Sequence, residues 1–201
     1  FISTLAWAQN GKLFNTDNQL SSNLATQVFQ DSNGFIWIAT RNGLNSYDGY
    51  NFTVLKKNSA EIPGLNSNYI NCIEQRANGQ LLVGTNNSLQ YFDGCQFQSI
   101  PMLDSKTKEL RTYVTQIYPL RNKDVLIGTS GYGIMLLKKD AAECHALKGK
   151  VEKLKYIRRM LEDKWGRLWI VGEDGNLHRR EANGKVTSYF PGTEGVAAQD
   201  I

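Results

Sequence analysis

The 201-residue sequence contains few residues of the kinds that build covalent frameworks or catalytic centres: three cysteines and two histidines. Cys72, Cys95 and Cys144 have no metal-ligand or redox spacing, and their odd number argues against a complete disulfide framework. Cys72 alternates within an apolar segment, which is typical of a small buried thiol; a single Cys72–Cys95 bridge in an oxidising compartment is the alternative. His145 and His178 are far apart and share no motif with a nucleophile, so neither a catalytic residue nor a metal or other cofactor is predicted.

The sequence also lacks a strong charge excess and a long apolar run. The formal net charge is +4, and the basic residues are scattered, with their densest run at 148–159. This pattern is typical of solvated surface and does not predict a nucleic-acid partner. No apolar run is long enough to span a bilayer, so a membrane anchor would have to lie outside this sequence.

The first eight residues are apolar and end in Ala-Trp-Ala, followed by the polar residues Gln9 and Asn10. A secretory signal peptide ends in this way. We therefore predict that residues 1–8 are the end of a signal peptide, cleaved after Ala8, and that the remaining chain is exported. A frayed apolar N-terminus is the alternative.

A short pattern of turn, apolar strand and second turn occurs four times. The copies begin at Asp31, Asn78, Lys123 and Asp163, and their turn positions 34, 79, 123 and 166 are 45, 44 and 43 residues apart. No long segment has helical periodicity. A repeat of this length with about four strands is what one β-propeller blade requires.

The sequence therefore predicts an all-β fold, a β-propeller of four-stranded antiparallel blades. Four blades are expected, at about 20–55, 65–100, 112–137 and 153–190, and the next would begin at 196–201. Residues 9–201 would form part of a larger propeller, with Leu13–Phe14 as a candidate outer strand that closes the ring.

The chemistry of the repeat explains its composition. Gly34, Gly79 and Gly166 suit hairpin turns that need positive φ. Small residues such as Gly84 and Gly128 would let neighbouring sheets approach. Both faces of a blade are buried, so an apolar second strand is expected, with its tryptophan in the core.

The first copy, Leu20 through Gly49, resembles the two-component regulator propeller repeat. It has Leu-Ser-Ser-Asn, then Gln-Asp-x-x-Gly-x-Ile-Trp-Ile-Ala-Thr-x-x-Gly-Leu, and ends in Tyr-Asp-Gly. The second copy, Leu65 to Gly94, matches well, and the third and fourth are degenerate. The similarity covers most of the chain after residue 19.

This resemblance implies the periplasmic sensor region of a membrane-bound hybrid two-component histidine kinase, as an N-terminal propeller. Its ligand would be an oligosaccharide, and its output the regulation of polysaccharide-use genes. Its partners would include the remainder of its own sensor ectodomain. The domain itself would not be an enzyme. The alternatives are a propeller enzyme, such as a glycan lyase or hydrolase, and a purely structural or protein-interaction propeller.

Three residues are candidate ligand contacts. Trp165 lies in a hairpin turn where the other copies have Asn33 and Asn78, which predicts an exposed ring that stacks on a sugar or partner, or else packs over its own hairpin. Arg158 and Arg159 alternate on a first strand, the strand nearest a propeller channel. One of them would contact an anionic ligand, unless both are solvated charges.

A stack of four blades has two outer sheet faces without neighbours. Such faces expose large apolar patches. Either a partner copy covers them or the chain is ordinarily longer, and we expect this chain to self-associate, for example as a homodimer.

Overall fold

The structure is a computed structural model that describes residues 13–60, 62–173, 175–190 and 199–200. Within these residues the regular structure is β-strand, apart from single 3-10 turns at Thr16–Asn18 and Lys150–Lys153. The strands of the described residues form four sheets. The prediction of an all-β fold is confirmed.

The first two sheets are antiparallel meanders in which consecutive strands pair. We call β1–β4 blade 1 and β5–β8 blade 2. Their strands are β1 (Ala25–Gln30), β2 (Ile36–Thr40), β3 (Gly43–Tyr47), β4 (Phe52–Leu55), β5 (Ile70–Gln75), β6 (Leu81–Thr85), β7 (Leu89–Phe92) and β8 (Phe97–Ile100).

The other two sheets also begin as four-stranded meanders, and each gains a fifth strand. Blade 3 is β10–β13 with β9 added, and blade 4 is β14–β17 with β18 added. These strands are β9 (Met102–Leu103), β10 (Val114–Pro119), β11 (Val125–Thr129), β12 (Ile134–Leu137), β13 (Cys144–Ala146), β14 (Ile157–Glu162), β15 (Leu168–Gly172), β16 (Leu177–Arg180), β17 (Val186–Tyr189) and β18 (Gln199–Asp200).

The fifth strands alter two predicted boundaries. Blade 3 extends to Ala146, beyond the expected end at 137, and β9 pairs in parallel with its outer strand through Cys144 and Met102. Strand β18 pairs with the outer strand of blade 4, Thr187 opposite Asp200. The described part of the segment 196–201 thus extends blade 4 here, and the remainder lies outside the described residues.

The hydrophobic core lies between the blades. Three clusters of buried side chains join blade 1 to blade 2, blade 2 to blade 3, and blade 3 to blade 4. Strand β6 shows the principle, because Leu81 and Val83 face blade 1 while Leu82 faces blade 3. Both faces of an inner blade are therefore buried, as predicted.

Glycine allows two blades to approach closely at β6. A Cβ atom at Gly84 would lie 2.5 Å from Sγ of Cys72 and 2.7 Å from Cγ1 of Val114 in the next blade. At Gly128 of blade 3, a Cβ would lie 3.1 Å from Cγ2 of Ile157. The predicted close-packing role of these glycines is confirmed.

The first hairpin of each blade needs a left-handed turn residue. Gly34, Gly79 and Gly166 have φ of 91°, 87° and 76°. Blade 3 has no glycine there, and Lys123 adopts φ of 73° instead. This conformation is unfavourable for a residue with a Cβ atom.

The first strands of successive blades lie side by side, and glutamines join them. The Gln27 amide donates to the carbonyl of Ile73 (2.9 Å) and accepts from the N–H of the same residue (3.0 Å). Gln116 makes the same pair of bonds to Met160, at 3.2 and 2.5 Å. One side chain thus satisfies both backbone groups of a residue in the next blade, and we call this arrangement the glutamine clamp.

The predicted outer strand at Leu13–Phe14 is not formed in the structure. Phe14 instead packs its ring against Tyr47 and Phe52 of blade 1, with ring centroids 5.4 and 5.0 Å apart. The predicted signal-peptide residues 1–8 lie outside the described residues.

The cysteines do not form the alternative bridge. Cys72 and Cys95 are both free, the first buried and the second exposed in the turn between β7 and β8. The interpretation of Cys72 as a buried thiol is confirmed, and Cys144 is also free and buried.

Candidate functional site

A β-bulge interrupts the first strand of every described blade at the same place. The pairing with the second strand shifts register between residues 25 and 27, 70 and 72, 114 and 116, and 157 and 159. A bulge turns one extra side chain out of the regular alternation. The four bulged residues, which we call the bulge ring, are Thr26, Asn71, Thr115 and Arg158.

The bulge ring lines a cavity beside the first strands of the blades, which we call the axial cavity. This axial cavity has a volume of ≈ 400 Å³, and all four ring residues line it together with Tyr113, Arg159 and Glu173. A second cavity of ≈ 420 Å³ adjoins it and shares Thr26, Asn71 and Arg159. Side chains from four blades therefore converge on one space, although they are up to 132 residues apart in the sequence.

Two members of the ring, Asn71 and Thr115, retain unused hydrogen-bonding capacity. Thr26 Oγ1 donates to the carbonyl of Ile70 (2.8 Å), and Asn71 Nδ2 donates to the carbonyl of Val114 (3.0 Å). The buried Oδ1 of Asn71 and Oγ1 of Thr115 have no hydrogen-bond partner among the described residues. Buried polar atoms are usually paired, so these two atoms leave hydrogen-bonding capacity unused beside the cavity.

Arg158 and Arg159 bring positive charge to this cavity. Both side chains are exposed, and neither forms an ion pair with any described carboxylate. Glu173 lines the same cavity, and Glu74 lines the adjoining one. Burial raises the pKa of Glu74 above its ordinary value.

Trp165 does not belong to this site. Arg158 and Arg159 lie near the start of β14, whereas Trp165 lies in the hairpin beyond its other end, roughly 15–20 Å along the strand direction. The structure therefore brings two of the three predicted contact residues together and separates the third.

The ring of Trp165 is packed by its own hairpin. Its exposed fraction is 66%, and Nζ of Lys164 and Cζ of Arg167 lie 4.4 and 4.5 Å from the ring centroid. Arg167 also forms an ion pair with Asp163 (2.6 Å). These contacts favour local packing, and a ligand contact at Trp165 stays a prediction.

Trp37 is a core residue, as predicted. It is buried between blades 1 and 2 and meets Phe92 edge to face, with centroids 5.8 Å apart. Beside it lies a groove of ≈ 550 Å³, which the hairpins of the two blades form with Asn33 and Asn78.

The histidines are separate from the axial cavity. Nδ1 of the buried His178 lies 2.6 Å from Oγ of Ser188, and the exposed His145 lies 3.0 Å from Glu143. Among the described ranges there is no group of three or more side chains that could hold a metal ion. The described residues also contain no helix that is long and apolar enough to cross a bilayer.

Sequence reasoning missed Thr26, Asn71 and Thr115, although a positional signal exists. Each of them, like Arg158, lies eight residues before the turn position of its own hairpin (34, 79, 123 and 166). Superimposing the repeats identifies Arg158 as the member whose residue type departs furthest from the others.

Solved structures with the same fold include a bacterial ectodomain and an enzyme. The extracellular domain of BT4673 from B. thetaiotaomicron, a proposed hybrid two component system, has a TM-score of 0.67 at 17% identity over 89% of this chain and 31% of its own. Virginiamycin B lyase from Staphylococcus aureus has a TM-score of 0.63 at 12% identity, over 85% of this chain and 56% of the lyase. No curated protein matches the sequence.

These similarities establish the fold, and the chain spans less than a third of the BT4673 domain. The family model for the two component regulator propeller matches residues 19–42 and 64–87. The matched segments contain β1 with β2 and β5 with β6, the inner halves of blades 1 and 2. The chain is therefore part of a β-propeller, built from blades of which the first two carry the two-component regulator propeller repeat.

Proposed function

We propose that this chain is part of the periplasmic sensor domain of a hybrid two-component histidine kinase, and that it detects an oligosaccharide. The observation that carries the proposal is the pair of regulator propeller repeats at 19–42 and 64–87. The BT4673 ectodomain, which shares the fold, supports the same role.

The axial cavity supports a binding function. It combines exposed guanidinium groups with polar atoms that have no partner among the described residues, and Tyr113 adds an aromatic ring. Carbohydrate sites generally combine hydrogen-bonding groups with an aromatic surface. Ligand binding here would pass to the remainder of the ectodomain, and from there to kinase activity and the regulation of polysaccharide-use genes.

A propeller lyase is the second candidate, because virginiamycin B lyase has the same fold. The chemistry of the axial cavity favours the sensor over the lyase. The cavity's described lining residues include no histidine and one carboxylic acid, Glu173, whereas Glu74 lines the adjoining cavity.

The test is binding of a panel of oligosaccharides, measured by calorimetry on the 201-residue chain and on the complete ectodomain in parallel. We expect saturable binding without turnover. Products detected by chromatography after long incubation would favour the enzyme. Binding by the complete ectodomain but not by this chain would assign these blades a structural role.

A further inference from the structure

The bulge ring has a chemical character that restricts the ligand further. We propose that the axial cavity binds an acidic sugar, with the anionic group held by Arg158 and Arg159 and the sugar hydroxyls bonded to Asn71 and Thr115. This inference rests on the proposed function and names the class of oligosaccharide that the site accepts.

Blade 4 brings positive charge to the axial cavity. Blades 1 to 3 have the neutral residues Thr26, Asn71 and Thr115 at the bulge, and blade 4 alone among the described blades has an arginine there, followed by a second one. Neither guanidinium lies within ion-pair distance of a carboxylate in the part of the chain that the structure describes. Adjacent unpaired guanidinium groups bind oxyanions through charge-assisted hydrogen bonds.

Two unpaired polar atoms of the bulge ring are suited to a sugar hydroxyl. Oδ1 of Asn71 can only accept a hydrogen bond, and Oγ1 of Thr115 can donate or accept. A sugar hydroxyl is complementary to both, since it donates and accepts. An inorganic anion such as phosphate would engage the arginines but would not need this pair of neutral groups.

The cavity also has an aromatic side chain at its edge. Tyr113 lines the cavity and packs edge to face on Tyr69, with centroids 6.1 Å apart. Burial, followed by the hydrogen bond with Tyr69, raises the pKa of Tyr113 to about 12. A neutral aromatic ring gives the apolar face of a sugar a surface to pack on.

The repeat position of Arg159 is occupied by glutamine in two of the other described blades and by Cys72 in blade 2. Gln27 and Gln116 occupy it in blades 1 and 3 and are engaged in glutamine clamps. Arg159 makes one weak bond, to the carbonyl of Arg158 at 3.4 Å. In blade 4 the same position places a cation that lines both the axial cavity and the adjoining one.

The test compares trigalacturonate with its methyl ester, in which the same sugar has lost its charge, and with a sulfated galactose oligosaccharide. We expect the 201-residue chain to bind at least one anionic sugar ten-fold or more tightly than the ester, with affinity that falls as salt is raised. Inorganic sulfate alone should bind at least ten-fold more weakly than the anionic sugar.

Four variants locate the site. Arg158→Gln and Arg159→Gln should each weaken binding of the acidic sugar about ten-fold, whereas Arg111→Gln, an exposed arginine outside the axial cavity, should not. Thr115→Val removes a hydroxyl that has no hydrogen-bond partner among the described residues, so it should preserve folding and weaken binding several-fold.

The outcomes separate this inference from the proposed function. Equal binding of trigalacturonate and its ester would overturn the acidic specificity and leave the oligosaccharide sensor standing. Loss of binding in Trp165→Ala but not in Arg158→Gln would move the site to the hairpin and overturn the inference. Failure of every oligosaccharide to bind either this chain or the complete ectodomain would overturn both.

Discussion

The indole Nε1 of Trp169 donates a 2.8 Å hydrogen bond to Oδ2 of Asp163. The same bond, at the same length, joins Trp37 to Asp31 in blade 1. In both blades the other carboxylate oxygen accepts backbone N–H groups of the hairpin. The aspartate therefore ties the turn to the second strand, which explains why Asp and Trp occur six residues apart in both copies.

This bond predicts a pH-dependent contribution to stability. Burial opposes the charge of Asp163 and is the largest single influence on it, but the hydrogen bonds from Trp169 and Arg167 together outweigh burial and hold its pKa below the ordinary value of 3.8. The stabilisation from a lowered pKa is present above the pKa of the unfolded chain and is lost as pH falls through the folded pKa.

We therefore expect Asp163→Asn to lower the free energy of unfolding at pH 7. The difference from the wild type should shrink as the pH falls below 3.8. Urea denaturation at pH 7, 5 and 3 measures it, and Asp140→Asn, in an exposed turn, is the control. A difference that stays constant over this range would contradict the prediction.

We predict that a side chain in place of Gly84 overpacks the interface between blades 2 and 3. Gly84→Ala should destabilise the protein by about 1–3 kcal/mol, because the new methyl group meets Cys72 and Val114 at less than contact distance. Chemical denaturation measures the loss. In a Cys72→Ala background, which removes the nearest atom, the cost should be smaller; an unchanged cost would mean that the clash is not its cause.

We predict that replacing Lys123 with glycine stabilises the protein. A left-handed conformation costs a residue with Cβ roughly 1–2 kcal/mol, and glycine loses about 0.5–1 kcal/mol to backbone entropy. Lys123→Gly should therefore raise the free energy of unfolding by about 0.5–1 kcal/mol. Lys123→Ala removes the same charge and keeps the strain, so equal gains in both variants would refute this explanation.

The three cysteines should differ in reactivity. Burial raises the pKa of the Cys72 and Cys144 thiols to about 12, so at pH 8 they hold almost no thiolate, whereas Cys95 is exposed. A thiol reagent should label one cysteine quickly in the native protein and all three in denaturant. Cys95→Ser should abolish the fast phase; its persistence would show that a buried cysteine is accessible.

The outer faces of blades 1 and 4 predict self-association. Val28 and Leu161 are 63% and 57% exposed. Their counterparts Ile73 and Phe29 pack into the core between blades 1 and 2. Light scattering of the 201-residue chain should detect oligomers, and Val28→Ser with Leu161→Ser should reduce them. Tyr50→Ser, at an exposed hairpin tip, should leave the oligomers unchanged. A monomer at every concentration would contradict the expectation.

The parts of the fold that local chemistry determines could be predicted from the sequence. Gly34 indicates a left-handed turn, and the apolar strand containing Trp37 indicates burial on both faces, so the blades and much of their core follow. The parallel pairing of Met102 with Cys144 could not be predicted, since it joins segments about 40 residues apart without a shared pattern.

The candidate site was predictable only in part. Arg158 and Arg159 stand out because, among the described blades, positive charge occurs only on the first strand of blade 4, and Trp165 because it replaces an asparagine. The residue types at Asn71 and Thr115 give no comparable signal in the sequence. Their importance comes from a backbone irregularity that repeats at one level of the stack, and bulged residues share a position rather than a side-chain type.

The glutamine clamp has a consequence for how such a protein changes during evolution. Sliding one blade past the next by a single residue, about 3.3 Å, would break both bonds of Gln27 to Ile73 at once. Insertions between blades, as in the 14-residue connection 56–69, leave the clamp intact. An insertion within the first strand would remove the partner from reach. Lineages of this protein should therefore gain or lose length in connecting loops or in whole repeats, and seldom in the inner strands.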